Sequence, residues 1–566
     1  MKKEIIKTSI AQTDIKKEDD SYAGDRRDSS NSFENNWMTD YPIEVNQLED
    51  IHKEVKFATK ILLNQIKKIY NKKFNLNENE RYYKIIIGRW LYHFINNIYE
   101  NLVLIKNEKK RNSDILTQTS DFDYELSRNS DSYYQKSYSS HLFKNKMLSS
   151  IINLDNDFKK IRIGGKSKKS FYKKFKEKIK PLFGKTLLLM NRIFLNDLIL
   201  VVDPYYPKGY FINSIWFFLK SKGKIVHQEF NLKESNRNLD YLLRYNFDSL
   251  MIKSDNELLN ISSRNLFKFI PICYLEQFME LRNKAEEWHL KNINCNRFFT
   301  ANSIHSNELF KFLVASNQKI PLSIVQHGQG YGTWKTISAE EYEKSLADKY
   351  YTWGWGDLKL PHPKLLKCKT IHYKNNDRII FTFPSITIYS GLLETIHLHL
   401  IKKHKIIEDS NTVVNELLSE IKDCLVKREL KQDNLTTLHL NDGLREDKIK
   451  DFHTSLYNSK IHLTNHFGTP FLESISMNIP TVLFLSNFKD YLRDEVIDIF
   501  LELKDANIIF DNPKLASTHI NKYYDSIDDW WLKDSTQQII TKFKSKFCIS
   551  DSNWKNIWLK ELLTKN

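Results

Sequence analysis

The apolar positions of this chain change their period as it proceeds. Over residues 45–70 and 79–103 they recur at helical spacing, as with Ile86, Trp90, Phe94 and Ile98, which predicts helices that need a partner surface. At 197–203, DLILVVD, the pattern becomes a short unbroken apolar run, the signature of a strand buried on both faces of a parallel sheet. A helix at 211–219, a strand at 224–227 and a helix at 269–290 continue the alternation. The stretch 297–335 then reads strand, helix, strand: an apolar run at 297–301, Leu309, Phe312 and Leu313 at helical spacing, and a second run at 322–325. Residues 350–355 close this half.

The second half repeats the scheme. A strand at 378–383 runs into Pro384 and Ser385; helices follow, one at 413–425, then a strand at 435–440 and a short helix at 451–458. A strand at 460–465 leads through Gly468 into a helix with Thr469 as N-cap and Pro470 at its first position. Asn478 and Pro480 stop that helix before a strand at 481–485. The alternation predicts an α/β protein of two Rossmann-like domains facing across a cleft, with added N-terminal helices. The expected units are a tail at 1–36, an α/β domain at 37–363 with helical and basic insertions, a second α/β domain at 378–545 and a C-terminal helix at 546–566. Residues 364–377 form the hinge. Residues 111–142, rich in Ser, Asp, Asn and Tyr without a period, are expected to be a long loop.

Length and composition narrow this further. A chain of 566 residues is more than one ordinary domain. Its 41% hydrophobic content excludes global disorder. A mean hydropathy of −0.52 and the lack of any uninterrupted apolar run near the ~18 residues of a span argue against an integral membrane protein. The N-terminus has charge but no apolar core of a signal peptide, which places the protein in the cytoplasm. Five scattered cysteines without a C-x-x-C pair fit reduced thiols. The net charge of +16 is uneven: residues 159–185 hold twelve Lys or Arg against Glu177 alone. There Phe171, Phe175 and Ile179 stand at i, i+4 and i+8 among Lys168, Lys169, Lys173 and Lys174. This is the pattern of a basic amphipathic helix on an anionic membrane surface, or of a solvated face packed on the domain through one stripe.

Chemistry concentrates at two strand ends. In a parallel α/β sheet ligands bind beyond the carboxyl ends of the strands, where Asn302, His305, Glu308, Gln326 and His327 would converge. Gly328, Gly330 and Gly332 follow, and three glycines in five residues let backbone pass close to a ligand. His327 is the candidate general base, since an imidazole with its ordinary pKa of ~6.5 accepts a proton from a hydroxyl near neutral pH; the alternative is a histidine that satisfies a strand-end carbonyl. Glu308 is a weaker second catalytic candidate, stabilised by its helix dipole whether or not it meets a ligand. In the second half the helix beginning at Thr469 offers unpaired N–H groups to an anion such as a nucleotide diphosphate. Ser385, Asn465 and Ser474 lie on the same side in sequence, and an ordinary capped helix is the alternative. Gly164-Gly-Lys-Ser167 fails as a phosphate loop because position 160 is Lys. His397, His399 and His404 lack the spacing of facing metal ligands, so neither a metal nor a cofactor is expected.

The words FTANSIHSNELFKF and IVQHGQGYG, followed by YTWGW at 351–355, resemble a bacterial family of transferases found with O-antigen and surface-polysaccharide genes. RYYKIIIGRW at 81–90, YLE at 274–276, FLE at 471–473, IPTVLF at 479–484 and the Trp530-Trp531 pair agree in order. The resemblance implies a GT-B-like glycosyltransferase that takes a nucleotide-sugar donor and a glycan or lipid-linked acceptor, with Glu473 on the donor ribose. The family's arginine near 438–442 is absent here, with Arg445 as its nearest substitute. His-Gly after an apolar strand is also similar to the CDP-glycerol glycerophosphotransferases, so a polyol-phosphate transferase is the alternative on the same fold. A nucleic-acid-binding protein is the rival of another class. Against it, the charge sits in one segment away from the glycine-rich stretch, so no nucleic-acid partner is expected.

Overall fold

The computed structural model describes residues 4–7, 43–111, 115–120, 127–154, 159–163, 179–193, 197–206, 209–230, 239–248, 254–328, 330–365, 376–384, 393, 403–430 and 444–564. The hinge core, Ser385, Lys168, Lys169, Lys173, Lys174, the strand expected at 435–440 and His397 and His399 lie outside them.

Three parallel sheets form. The first joins β1 (Glu4–Lys7), β2 (Ile115–Ser120) and β3 (Lys159–Ile163). Two expectations change here. Glu4–Lys7, in the stretch read as a tail, carries the apolar pair Ile5-Ile6 and pairs in register with 115–118. The stretch read as a long loop holds β2, the helix Ser130–Ser139 and the start of the helix His141–Ile152. A capping box at Asn129 and the buried Tyr133 set the first of these helices without an apolar period.

The second sheet comprises β4 (Leu198–Val202), β5 (Ile225–His227), β6 (Cys295–Thr300), β7 (Leu322–Val325) and β8 (Lys349–Tyr351), in the order β5-β4-β6-β7-β8. The third comprises β9 (Ile379–Pro384), β10 (Leu425–Leu430), β11 (Arg445–Glu446), β12 (Ile461–Thr464), β13 (Thr481–Phe484) and β14 (Ile509–Phe510), in the order β11-β10-β9-β12-β13-β14. All their pairings are parallel. Counted within each sheet, these are the doubly wound orders 2-1-3-4-5 and 3-2-1-4-5-6, as two Rossmann-like domains require. Each order reverses once, between β4 and β6 and between β9 and β12.

The period-two geometry of a strand sends alternate side chains to opposite faces. Leu198, Leu200 and Val202 enter the main core with the N-terminal helices, including Leu48–Phe74 and Arg89–Arg111. Ile199 and Val201 face the other way and meet Phe217, Trp558 and Leu562. Two of these belong to the C-terminal helix Trp554–Leu563, which returns to the second sheet. Arg297 fixes it there by donating to the carbonyls of Glu561, Leu562 and Thr564, a cation on a helix C-terminus.

The two carboxyl edges meet through the loop after His327. Lys335 N donates to Tyr491 O at 2.9 Å and Arg493 N to Thr333 O at 2.8 Å. Trp334 lies against Phe467 and Tyr491. The crevice between the sheets is therefore bordered by the residues that follow β7 on one side and those that follow β12 and β13 on the other.

Candidate active site

His327 lies two residues past the end of β7, and its Nδ1 lies 2.9 Å from Glu343 Oε1. Glu343 comes from the helix Ser338–Leu346 and is fully buried. The same oxygen accepts from His305 Nε2 at 2.6 Å and from the Tyr331 hydroxyl at 2.9 Å, while Tyr350 donates to Oε2 at 2.9 Å. Burial works to raise the Glu343 carboxyl, but His327 and His305 outweigh it and hold it down at about 2. An ionised Glu343 accepts from a proton-bearing Nδ1, which in a neutral imidazole puts the lone pair on Nε2. His305, lowered to about 4 chiefly by burial, stays neutral and donates through Nε2.

A second ring of contacts holds this cluster. Residues Lys84–Gly88 form a π-helical turn. Such a turn displaces carbonyls from the α-helical ladder, and the Tyr342 hydroxyl lies 2.9 Å from that of Ile85. Arg89 follows directly, donates to Ser338 Oγ at 2.9 Å, and is among the charges acting on His305 and Tyr331. Glu340, three residues before Glu343, accepts from Gly332 N at 2.8 Å and Arg493 Nη2 at 2.9 Å. One helix thus holds His327 on one side and clasps the second domain on the other.

Several expected site residues have other roles. Glu308 is 1% exposed, and its carboxylate is taken by the Ser130 hydroxyl, the Tyr274 hydroxyl at 2.7 Å and Lys311 Nζ at 3.0 Å. It is a buried structural ion pair that an acceptor from solvent does not reach. Gln326 pins the loop by donating to Gly328 O and accepting from Trp353 N and Trp355 Nε1. Gly330 and Gly332 have φ of +97° and +72°, and a Cβ would lie 2.4 Å from the Trp334 ring and 2.3 Å from the Trp355 ring, respectively. Packing and a left-handed backbone therefore demand those two glycines, rather than a ligand. Gly328 meets only Tyr331, at ordinary contact distance, and Asn302 is half-buried after β6 at the first topological switch point.

In the second domain the extended Gly468 is the N-cap and Thr469, expected as the cap, is the first residue of the helix Thr469–Ser476; a Cβ at 468 would lie 2.4 Å from the His466 imidazole. Thr469 is half-buried at the helix N-terminus. Glu473, one turn in, is largely buried, with His453 Nε2 3.5 Å from its Oε1. Burial lowers the His453 imidazole, and the Glu473 carboxylate more than reverses this and raises it. Asn465, at the second switch point, donates to Ser410 Oγ at 2.7 Å, and its buried Oδ1 has no partner among the described residues. Ser474 is fully buried beneath the helix, bonded to Phe471 O and to His462 Nδ1, so it cannot face a donor. Arg445 binds the Asp423 carbonyl at the amino end of β10, the wrong edge for a phosphate.

Sequence reasoning missed the residues after β4. Asp203 and Tyr205 hold φ of +43° and +61°, strain of the kind found at functional sites. Lys364 Nζ lies 3.6 Å from the centre of the Tyr205 ring, and Glu473 acts on both side chains. Their signal, DPYYPKG after an apolar strand, is turn chemistry at a switch point. A cavity of ≈ 630 Å³ opens beside this group, lined by His362, His453, Asp451, Met477 and Trp554 among others.

The ligand atoms of His305, His327 and Glu343 all lie within 4.8 Å of one another, the one group among the described residues able to hold a metal ion. Their contacts of 2.6–2.9 Å are those of hydrogen bonds onto one carboxylate oxygen.

Among solved structures, the wall teichoic acid polymerase TagF with CDPG matches at 9% identity and a TM-score of 0.32, over 68% of this chain and 98% of that one. The spinosyn rhamnosyltransferase SpnG with thymidine diphosphate matches at 10% and 0.30, over 64% and 100%. The glycosyltransferase SnogD from Streptomyces nogalater matches at 10% and 0.32, over 64% and 99%. No curated protein matches the sequence. The model of the family described as LIC12162 family transferase matches residues 5–562, nearly the whole chain, and the protein belongs to that family.

Proposed function

We propose that the protein is a glycosyltransferase of surface-polysaccharide biosynthesis that moves a sugar from a nucleotide-activated donor to an acceptor hydroxyl. The observation that carries this reading is the His327–Glu343 pair on one carboxyl edge, opposite a helix N-terminus followed by a buried glutamate on the other. The acceptor hydroxyl gives its proton to His327 Nε2 as its oxygen bonds to the anomeric carbon. The bond from that carbon to the diphosphate breaks, and the nucleotide diphosphate leaves with the electron pair. Glu343 stabilises the imidazolium formed, as a buried carboxylate partner does for a histidine base. Amide dipoles at Thr469 stabilise the charge that develops on the leaving phosphate. Glu473 fits the donor ribose hydroxyls, as the family resemblance implies, and Asn302 and Gly328 leave room for the acceptor.

A thermal-shift screen tests the class of donor, since a ligand bound only by the native state raises the melting temperature. Nucleoside diphosphates and nucleotide sugars are expected to stabilise the protein. Stabilisation by CDP-polyols alone would instead make it a polyol-phosphate transferase, and stabilisation by oligonucleotides alone would remove the enzymatic reading.

A further inference from the structure

The helix Tyr210–Lys220 is apolar on its outer face as well as its inner one. Its polar Asn213 and Ser214 are buried beside Phe217, whereas Ile212, Ile215 and Leu219, spaced i, i+3 and i+7, stand out at 70%, 43% and 67% exposure. The helix Ile179–Ile193 lies beside it, joined through the Phe183 and Phe211 rings, and exposes Leu189, Met190 and Ile193. The two helices flank the edge strand β5. Asn191 Nδ2 donates to Gly223 O just before β5, and Asn294 just before β6 donates to Asn191. The end of this apolar face therefore lies at the amino ends of the strands, opposite the crevice. Arg192 donates to Asn292, which brings the exposed Ile293 to the same end.

Single exposed aliphatic residues are ordinary, but six on two helices joined through Phe183 and Phe211 mark a binding surface. Its rim is cationic, with Lys185, Lys220, Lys222 and Lys291 exposed around it. In sequence, residues 164–178 bring seven more lysines against Glu177 directly into the first helix. A second copy of this chain would set lysine against lysine across such a face, whereas a bilayer of anionic lipid matches both its apolar centre and its charged border.

We propose that the outer faces of the helices Ile179–Ile193 and Tyr210–Lys220 dock the protein on an anionic membrane, with aliphatic side chains between the headgroups and lysines on the lipid phosphates. The proposal is independent of which group the enzyme transfers. The full chain should sediment with phosphatidylcholine vesicles that contain phosphatidylglycerol and not with phosphatidylcholine alone. Replacing Ile193, Ile212 and Leu219 together by Glu should weaken that binding by about 1,000-fold, from roughly tenfold for each aliphatic side chain lost. These side chains are exposed, so the circular-dichroism melt of the variant should match wild type. Lys220→Gln with Lys222→Gln should weaken binding at low salt only. Failure of wild-type protein to bind the anionic vesicles at low salt, or unchanged binding by the Glu variant, would overturn the proposal. So would a wild-type dimer that the Glu variant splits, which would make the face a junction between two copies.

Discussion

The two carboxyl edges that border the crevice are built differently. On the first, every polar atom of Glu343 is engaged, and four side chains from the loops after β6 and β7 and from β8 converge on one carboxylate. On the second, Glu473 has one close side-chain partner among the described residues, at 3.5 Å, and Asn465 keeps an unused acceptor. A group that must take a proton at one position needs its orientation fixed before substrate arrives. A group that grips a ligand gains from hydrogen-bonding capacity left open for it. The difference fits the proposed reading, in which the first edge carries the proton chemistry and the second holds the donor.

The largest expected effect breaks the first edge directly. His327→Ala should cut turnover by about 10²–10⁴-fold, the usual contribution of a general base. Glu343→Gln keeps the shape and removes the charge; it should lower kcat by about 10–10²-fold with KM unchanged, which separates orientation of the base from substrate binding. Next comes the loop that joins the edges. Gly332→Ala forces a Cβ into the Trp355 ring at a positive φ and should cost about 1–3 kcal/mol in urea unfolding, whereas Gly328→Ala should cost little.

The smallest effect is on acid stability. Burial lowers His227 and His462 to about 3 and His305 to about 4, below the ordinary value of 6.5. Because the unfolded chain takes up these protons first, the stability they confer is whole above pH ~6.5 and drains away as pH falls toward 3–4. Melting temperature should decline across that window, and His462→Asn should flatten the decline.

How much of this was legible in the sequence depended on where each signal resided. The strands β4, β6, β7, β12 and β13 read correctly because unbroken apolar runs are buried on both faces. His327 was singled out from its strand-end position, and the helix after Gly468 from its glycine and proline signals. Nothing in SAEEYEKSL singles out Glu343 in the sequence; its surroundings come from residues far away in the chain, among them His305 and His327. The helix expected at 413–425 in fact ends at Glu416, and the strand β10, LVKREL, which begins at Leu425, was not foreseen since its Lys and Arg hide the period; Arg428 is consumed by Asp447. Glu308 and Ser474 misled for the converse reason: each lies near a strand-end motif, yet its side chain points into the core. The glycines at 330 and 332 were read as room for a ligand, although two tryptophans account for them.

Calorimetric titration of a nucleoside diphosphate into wild-type, His327→Ala and Glu473→Ala proteins tests the division between the two edges most directly. The account predicts wild-type affinity for His327→Ala and a loss of about 1.5–3 kcal/mol, roughly 10- to 150-fold, for Glu473→Ala. Unchanged affinity in Glu473→Ala, or affinity lost in His327→Ala with its fold intact, would contradict it.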